Sequence, residues 1–208
     1  MALNIQIIHP NPPKPSGINR YYKIRQMNQI LVKLLLITTL FCHSCGMTED
    51  FGPVIQTIDF KLIVTNEDLT IFKDGFIHWV SIDSPEINSN KLVDADKIIL
   101  PYQSVKIYID YPLNHPASFV IKTNEMGFTR RQLITEISGK YHQIYKLEET
   151  TADTKTTPVD QRQGLVNRNE TDGKYGIWGH DISDLDLSTI EVHKNKKGEI
   201  TLILGIES

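Results

Sequence analysis

Apolar and polar residues alternate along much of the chain beyond residue 53. In the segment VIQTIDFKLIV (54–64), Ile58, Phe60 and Leu62 alternate with charged residues. A period of two is typical of a strand with one buried face. The pattern predicts strands in four further segments: 69–82, 104–111, 117–123 and 188–207.

Two glycine-containing turns are expected to fold some of these strands into hairpins. Asp74-Gly75 divides the segment 69–82 into two β-rich halves, and this dipeptide favours the backbone angles of a tight turn. The run Asn195-Lys-Lys-Gly198 separates two alternating stretches at the end of the chain. We therefore predict a C-terminal hairpin that docks into the sheet.

The spacing of the apolar residues changes after Gly127. Apolar residues then recur at steps of three and four, which predicts one long helix. Thr129 and Gln132 form a plausible capping box at its start, and Gly139 would mark a close approach or a slight bend. The apolar stripe consists of Leu133, Ile134, Ile137, Tyr141, Ile144 and Tyr145. The expected fold is α+β, a mainly antiparallel sheet with one long helix packed on a face.

The N-terminal region has the pattern of an export signal. The apolar run 30–41 is interrupted by Lys33, and its uninterrupted part is much shorter than the roughly 20 residues of a membrane-spanning helix. Residues 27–44 therefore read as a signal peptide. Residues 1–26, which include NPPKPSG, read as an unstructured leader or a mis-assigned start.

The segment FCHSCGMTED around Cys45 resembles a bacterial lipoprotein processing site of the Bacteroidetes-like kind. The resemblance implies cleavage before Cys45 and attachment of a lipid to its sulfur, with residues 45–53 as an acidic linker and 54–208 as a single domain. The membrane would then be a partner, and the location the cell envelope, as an outer-membrane or cell-surface lipoprotein. A secreted or periplasmic protein is the alternative.

Cys42 and Cys45 also permit other readings. They could be a pair of buried or disulfide-linked thiols, or a redox or metal-binding C-x-x-C. These readings are less favoured because the chain has no second cysteine pair to complete a zinc site. The pair also adjoins the apolar export segment.

The charge of the body argues against nucleic acid as a partner. The first 48 residues contain basic residues and no acid, whereas the rest of the chain has 17 basic and 25 acidic residues, a formal charge of −8. An acidic body of this kind does not attract a phosphate backbone. We therefore expect no nucleic-acid binding.

The sequence GKYGIWGHDISDLDL, which precedes the last hairpin, concentrates the candidate chemistry. His180, Asp181, Asp184 and Asp186 are suitable ligands for a divalent metal, and His180 and Asp181 could also act as a general base and its orienting group. Arg168 could bind an anionic group. These residues would support a metal-dependent hydrolase-like enzyme, although their spacing matches no metal-hydrolase signature.

A structural interpretation explains the same stretch and is favoured. The glycines permit tight turns, Asp181 would cap the short turn ISDL, and Arg168 could pair with a nearby acid. Tyr175, Ile177 and Trp178 would bury apolar area. In this interpretation no cofactor is expected, and the favoured hypothesis is an exported domain of unknown biochemical role that serves as a binding or interaction module. The pattern leaves the question of an enzyme open and leans against one.

From about Tyr111 to its end, the chain resembles an uncharacterised family. The shared features are GFTRRQLITEI, IYKLEE, LVNRNETDGKYGIWGHDISDL and a closing hairpin. The resemblance covers nearly half of the chain. It implies no activity and assigns no site residues.

Overall fold

The computed structural model describes residues 49–65, 67–164 and 167–208. The expected leader 1–26, the signal peptide 27–44 and the lipidation site Cys45 lie outside the described residues. Residues Asp50–Ser208 form one compact unit. Among the described residues, no helix has both the length and the apolar character needed to cross a membrane.

Over the described residues, the fold consists of ten strands and one α-helix. The strands are β1 (Val54–Asp59), β2 (Leu62–Ile63), β3 (Phe76–Ile77), β4 (Val80–Ser81), β5 (Ile98–Leu100), β6 (Ser104–Ile109), β7 (Ala117–Lys122), β8 (Phe128–Thr129), β9 (Asp186–Lys194) and β10 (Ile200–Glu207). The helix α1 spans Arg130–Thr151. Short 3-10 turns occupy Asp68–Thr70, Pro85–Asn88, Val159–Gln161 and Ile182–Asp184.

The main sheet has the strand order β1-β9-β10-β6-β7, and β4 pairs with the start of β9. All of its pairs are antiparallel except β10 with β6. The strands β9 and β10 form the expected C-terminal hairpin and lie in the middle of the sheet. The α+β prediction is therefore confirmed.

The helix α1 begins at the expected capping box. The Thr129 hydroxyl accepts from the Gln132 N–H at 3.1 Å, and the Gln132 side chain accepts from the Thr129 N–H at 2.9 Å. The helix buries its apolar stripe in a core shared with the sheet. Fully buried members of this core include Leu133, Ile137, Tyr141, Ile144, Ile107, Ile190, Val192 and Leu202. A Cβ at Gly139 would meet no neighbour within 4 Å, so the expected close approach is absent there.

The first two predicted strand segments differ from the structure. The strand expected over 54–64 ends at Asp59, and Leu62–Ile63 pairs instead with Phe76–Ile77 in a separate small sheet. Gly75 has the expected positive φ of 86°, but the hairpin predicted across Asp74-Gly75 is wrong, because Asp68–Thr70 form a 3-10 turn and Phe76–Ile77 pairs with Leu62–Ile63. The period of two continues through this change of direction because both β1 and β2 bury one face against the same core.

The N-terminal end of the unit is fixed to the sheet face opposite α1. The ring of Phe51 lies 4.8 Å from that of Tyr108 and 6.2 Å from that of His193. The carbonyl of Gly52 lies 2.8 Å from Nδ1 of His193. Gly52 has a positive φ of 74°, and a Cβ there would approach the Lys194 carbonyl to 2.2 Å, so only glycine fits this crossing.

Candidate functional site

Glu148, in the last turn of α1, organises the glycine-rich stretch. Its carboxylate is fully buried and accepts from the Thr171 hydroxyl at 2.7 Å. It also accepts from the backbone N–H groups of Gly173 at 2.8 Å, Tyr175 at 2.7 Å and Gly176 at 3.2 Å. One carboxylate therefore satisfies four donors and fixes this loop on the end of α1.

The pKa of Glu148 reflects these contacts. Burial acts to raise the pKa, but the hydrogen bonds from Thr171, Tyr175, Gly173 and Gly176 outweigh it and lower the pKa below its ordinary value. The carboxylate is thus held ionised. A Cβ at Gly173 would lie 2.7 Å from this carboxyl, so glycine is required for the approach.

Arg168 is a second buried polar group of the same loop and is only 5 % exposed. Its guanidinium donates to the Ile177 carbonyl at 3.2 Å and to the Thr171 hydroxyl at 3.3 Å. It also donates to the Thr156 hydroxyl and lies over the Tyr145 ring. All of these partners belong to the chain, so Arg168 holds the loop together. We call Glu148, Arg168 and their hydrogen-bond partners the Glu148 cluster.

Asp181 is engaged by two arginines. Arg162, whose side chain is almost fully buried, donates to both carboxylate oxygens at 2.6 and 2.9 Å. Nε of Arg168 lies 3.9 Å from the same carboxylate. Asp181 also begins the expected short turn, where the Asp184 carboxylate accepts from the Asp181 N–H at 2.9 Å.

His180 contacts aromatic residues and none of the predicted metal ligands. Its Nε2 lies 2.8 Å from the hydroxyl of Tyr111, and its ring contacts those of Tyr111 and Trp178. The Tyr145 hydroxyl donates to its carbonyl at 2.9 Å. The expected burial of Trp178 is wrong in part, because this side chain is 36 % exposed while it packs edge-on against Tyr111.

The side chains predicted as metal ligands and catalytic groups therefore do not converge in one site. Arg168 and Asp181 meet, whereas the imidazole of His180 contacts Tyr111 and Asp184 caps a backbone N–H. Within the ranges that the structure describes, no three His, Cys, Asp or Glu side chains form a group that could hold a metal ion. Asp184 and Asp186 do share one feature, since both line a groove.

The groove has a volume of about 610 Å³ and lies where β9 begins and β10 ends. This volume is in the range of small-molecule binding sites. Its lining includes a half-buried tryptophan, four acids and one lysine: Trp79, Asp59, Asp184, Asp186, Glu207 and Lys61. Lys61 lies 3.5 Å from Asp59, so it is already paired with one of these acids.

Asp186 and Glu207 are direct cross-strand neighbours on the floor of the groove. Among the described residues, neither carboxylate has a hydrogen-bond or ion-pair partner. Burial raises the pKa of Asp186, and the like charge of Glu207 adds to that effect. Like charges opposite each other destabilise a sheet. This pair is therefore held in place by the fold without a compensating charge.

The sequence pattern did not indicate Glu148, Trp79 or Glu207. Glu148 lies in the polar sequence KLEET, where a solvent-exposed helix end is the natural expectation. A usable signal was the position of Glu148 at one end of the apolar stripe, four residues after Ile144. Glu207 and Trp79 meet only through the pairing of β9 with β10 and β4, which no local pattern encodes.

No family model matches the chain, and searches of curated proteins and solved structures find no significant match.

Proposed function

We propose that this protein is an exported, lipid-anchored binding module whose ligand-binding site is the groove at the end of the main sheet. The proposal rests on a contrast between two sets of polar side chains, one with hydrogen-bond or ion-pair partners in the chain and one without. The polar groups of the GKYGIWGHD stretch are engaged by other parts of the chain, whereas Asp186 and Glu207 face the groove without a described partner. A ligand would supply the missing contacts.

The anchor rests on the sequence around Cys45. A lipid attached there would hold the domain at the cell envelope, facing the outside of the membrane or the periplasm. Metabolic labelling with a fatty acid tests this step. The native chain should incorporate label and Cys45→Ala should not; equal incorporation would contradict the anchor.

The lining favours a ligand that carries a positive charge. A cationic group placed between Asp186 and Glu207 would remove their mutual repulsion, and the partial burial of Asp186 would strengthen the attraction. Trp79 offers an aromatic face in the same groove, and a tryptophan face also attracts cations. A peptide segment with lysine side chains combines this charge with a chain that a groove can hold.

Fluorescence titration tests the binding site directly. Trp79 and Trp178 are the two tryptophans, so Trp178→Phe leaves Trp79 as the single reporter. Tetralysine should change its emission in a saturable way, and tetraglutamate should not. Asp186→Asn with Glu207→Gln should weaken tetralysine binding, while Asp160→Asn, in an exposed turn, should leave it unchanged. Equal titration curves for all variants would contradict the groove as the site.

A metal-dependent hydrolase-like enzyme is the alternative proposal. Its support is that two of its candidate carboxylates, Asp184 and Asp186, line the groove. Elemental analysis of purified protein tests it. The alternative expects a stoichiometric divalent metal that is lost when Asp184 and Asp186 are both changed to Asn, and it fails if metal is absent and added metal leaves the melting temperature unchanged.

A further inference from the structure

The main sheet has two chemically different ends. One end contains the groove, where β9 begins and β10 ends. The other end contains the β9–β10 turn, Asn195–Glu199, and the start of β1. The nine residues of β9 separate the two ends by about 26 Å at about 3.3 Å per residue.

The chain enters the folded unit at the turn end. Phe51 packs on Tyr108, and the Lys194 N–H donates to the Pro53 carbonyl at 3.1 Å. Five residues separate Phe51 from Cys45. At about 3.5 Å per residue, the chain length therefore limits the distance between the Cα atoms of Cys45 and Phe51 to about 21 Å.

The turn end also carries the densest run of positive charge in the chain. Three of the four residues 194–197 are lysines, and each is exposed. Lys194, Lys196 and Lys197 form no ion pair with any residue in the described ranges. Two acids lie near them: Glu199 accepts a hydrogen bond from Asn195 at 2.6 Å, and Asp50 accepts one from the Gly52 N–H at 3.1 Å. This cluster stands out because the body as a whole is acidic.

We infer that the β9–β10 turn contacts the anionic phosphate headgroups of the membrane that holds the lipid, so that the groove faces away from that membrane. The inference rests on the proposed lipid anchor. The short linker brings the turn to the bilayer surface, and the three lysines then favour contact with anionic lipids roughly fivefold each. The acidic groove is repelled by the same surface.

Two serine positions report the orientation without altering any lysine. Ser104 is exposed beside the turn, and Ser183 is exposed beside the groove. Cys45 is acylated in the processed chain, which otherwise has no cysteine, so Ser104→Cys and Ser183→Cys each give a single site for a fluorophore. The acylated full chain is placed in vesicles of phosphatidylcholine and phosphatidylglycerol that contain a headgroup quencher.

Stronger quenching at position 104 than at 183 is the expected result. The difference should shrink when Lys194, Lys196 and Lys197 are all changed to Gln, or when salt is raised, because exposed charges are screened within a Debye length. A matched variant with three other exposed lysines neutralised, Lys73→Gln, Lys146→Gln and Lys174→Gln, should keep the difference. Equal quenching at both positions, or equal effects of the two triple variants, would overturn the inference.

Mass spectrometry of the same preparations separates the two possible failures. If Cys45 carries no lipid, the proposed anchor fails and this inference fails with it. If Cys45 carries the lipid but quenching does not depend on position, the anchor stands and only the orientation is refuted.

Discussion

Glu148 and Asp186 are carboxylates with opposite environments in one domain. Glu148 is fully buried and accepts from four donors, which lower its pKa. Asp186 is half-buried and lies opposite another carboxylate, and its pKa is raised. Ionised Glu148 therefore stabilises the fold, whereas ionised Asp186 slightly destabilises it. The comparison separates polar residues that build the loop from those available to a ligand.

Among the variants, Glu148→Gln is expected to lower the free energy of unfolding the most. The amide keeps the size of the carboxyl but removes the charge and brings N–H donors toward the donors of Thr171, Gly173 and Tyr175. Breaking a buried charged network of this kind costs about 3–5 kcal/mol. Urea unfolding measures the loss. Glu136→Gln, on the same helix without a described side-chain partner, should change stability by less than about 0.5 kcal/mol.

If Glu148→Gln lowered the free energy of unfolding by no more than Glu136→Gln does, a structural role for Glu148 would be contradicted. In that case the four hydrogen bonds would contribute little to folding, and the loop would be held by its apolar residues Tyr175 and Ile177.

The second-largest expected effect is a change with pH in the stability that Glu148 contributes. The pKa of Glu148 is lower in the folded chain than in the unfolded chain, so its contribution is complete above its ordinary pKa of 4.5 and is lost as the pH falls through the folded value. The difference in unfolding free energy between the native chain and Glu148→Gln should therefore shrink below about pH 4.5. Urea unfolding at a series of pH values measures it, and a difference that stays constant down to acid unfolding would contradict the assignment.

The sequence predicted those parts of the fold that depend on local periodicity. The helix α1, with its Thr129 and Gln132 capping box, and the β9–β10 hairpin were both expected, because their apolar stripes and turn residues lie close together in the chain. The parallel pairing of β10 with β6 was not, since the two strands are about ninety residues apart and no short-range pattern encodes such a pairing.

The two polar sites differ in how far the sequence could indicate them. Glycine-permitted turns and a cap at Asp181 were expected in GKYGIWGHD; Gly176 and Gly179 have positive φ angles of 61° and 70°, and Asp181 begins the short turn Ile182–Asp184. The acceptor that holds these turns, Glu148, comes from another element. The sequence suggested that Arg168 pairs with an acid, as it does with Asp181, but it did not indicate that Arg168 is buried. The groove depends on three strands that meet only after folding, so composition alone could not indicate it.

Asp186→Asn should have the smallest effect on stability, with the opposite sign to that of Glu148→Gln. A raised pKa means that ionised Asp186 is disfavoured in the folded chain, so its penalty is present at neutral pH and relieved in acid. Removing the charge should therefore leave stability unchanged or raise it by up to about 0.5 kcal/mol, because the side chain is only half-buried. Tetralysine binding should weaken about threefold in the same variant. A clear loss of stability would place Asp186 with Glu148 among the structural carboxylates and remove the basis for the groove as a binding site.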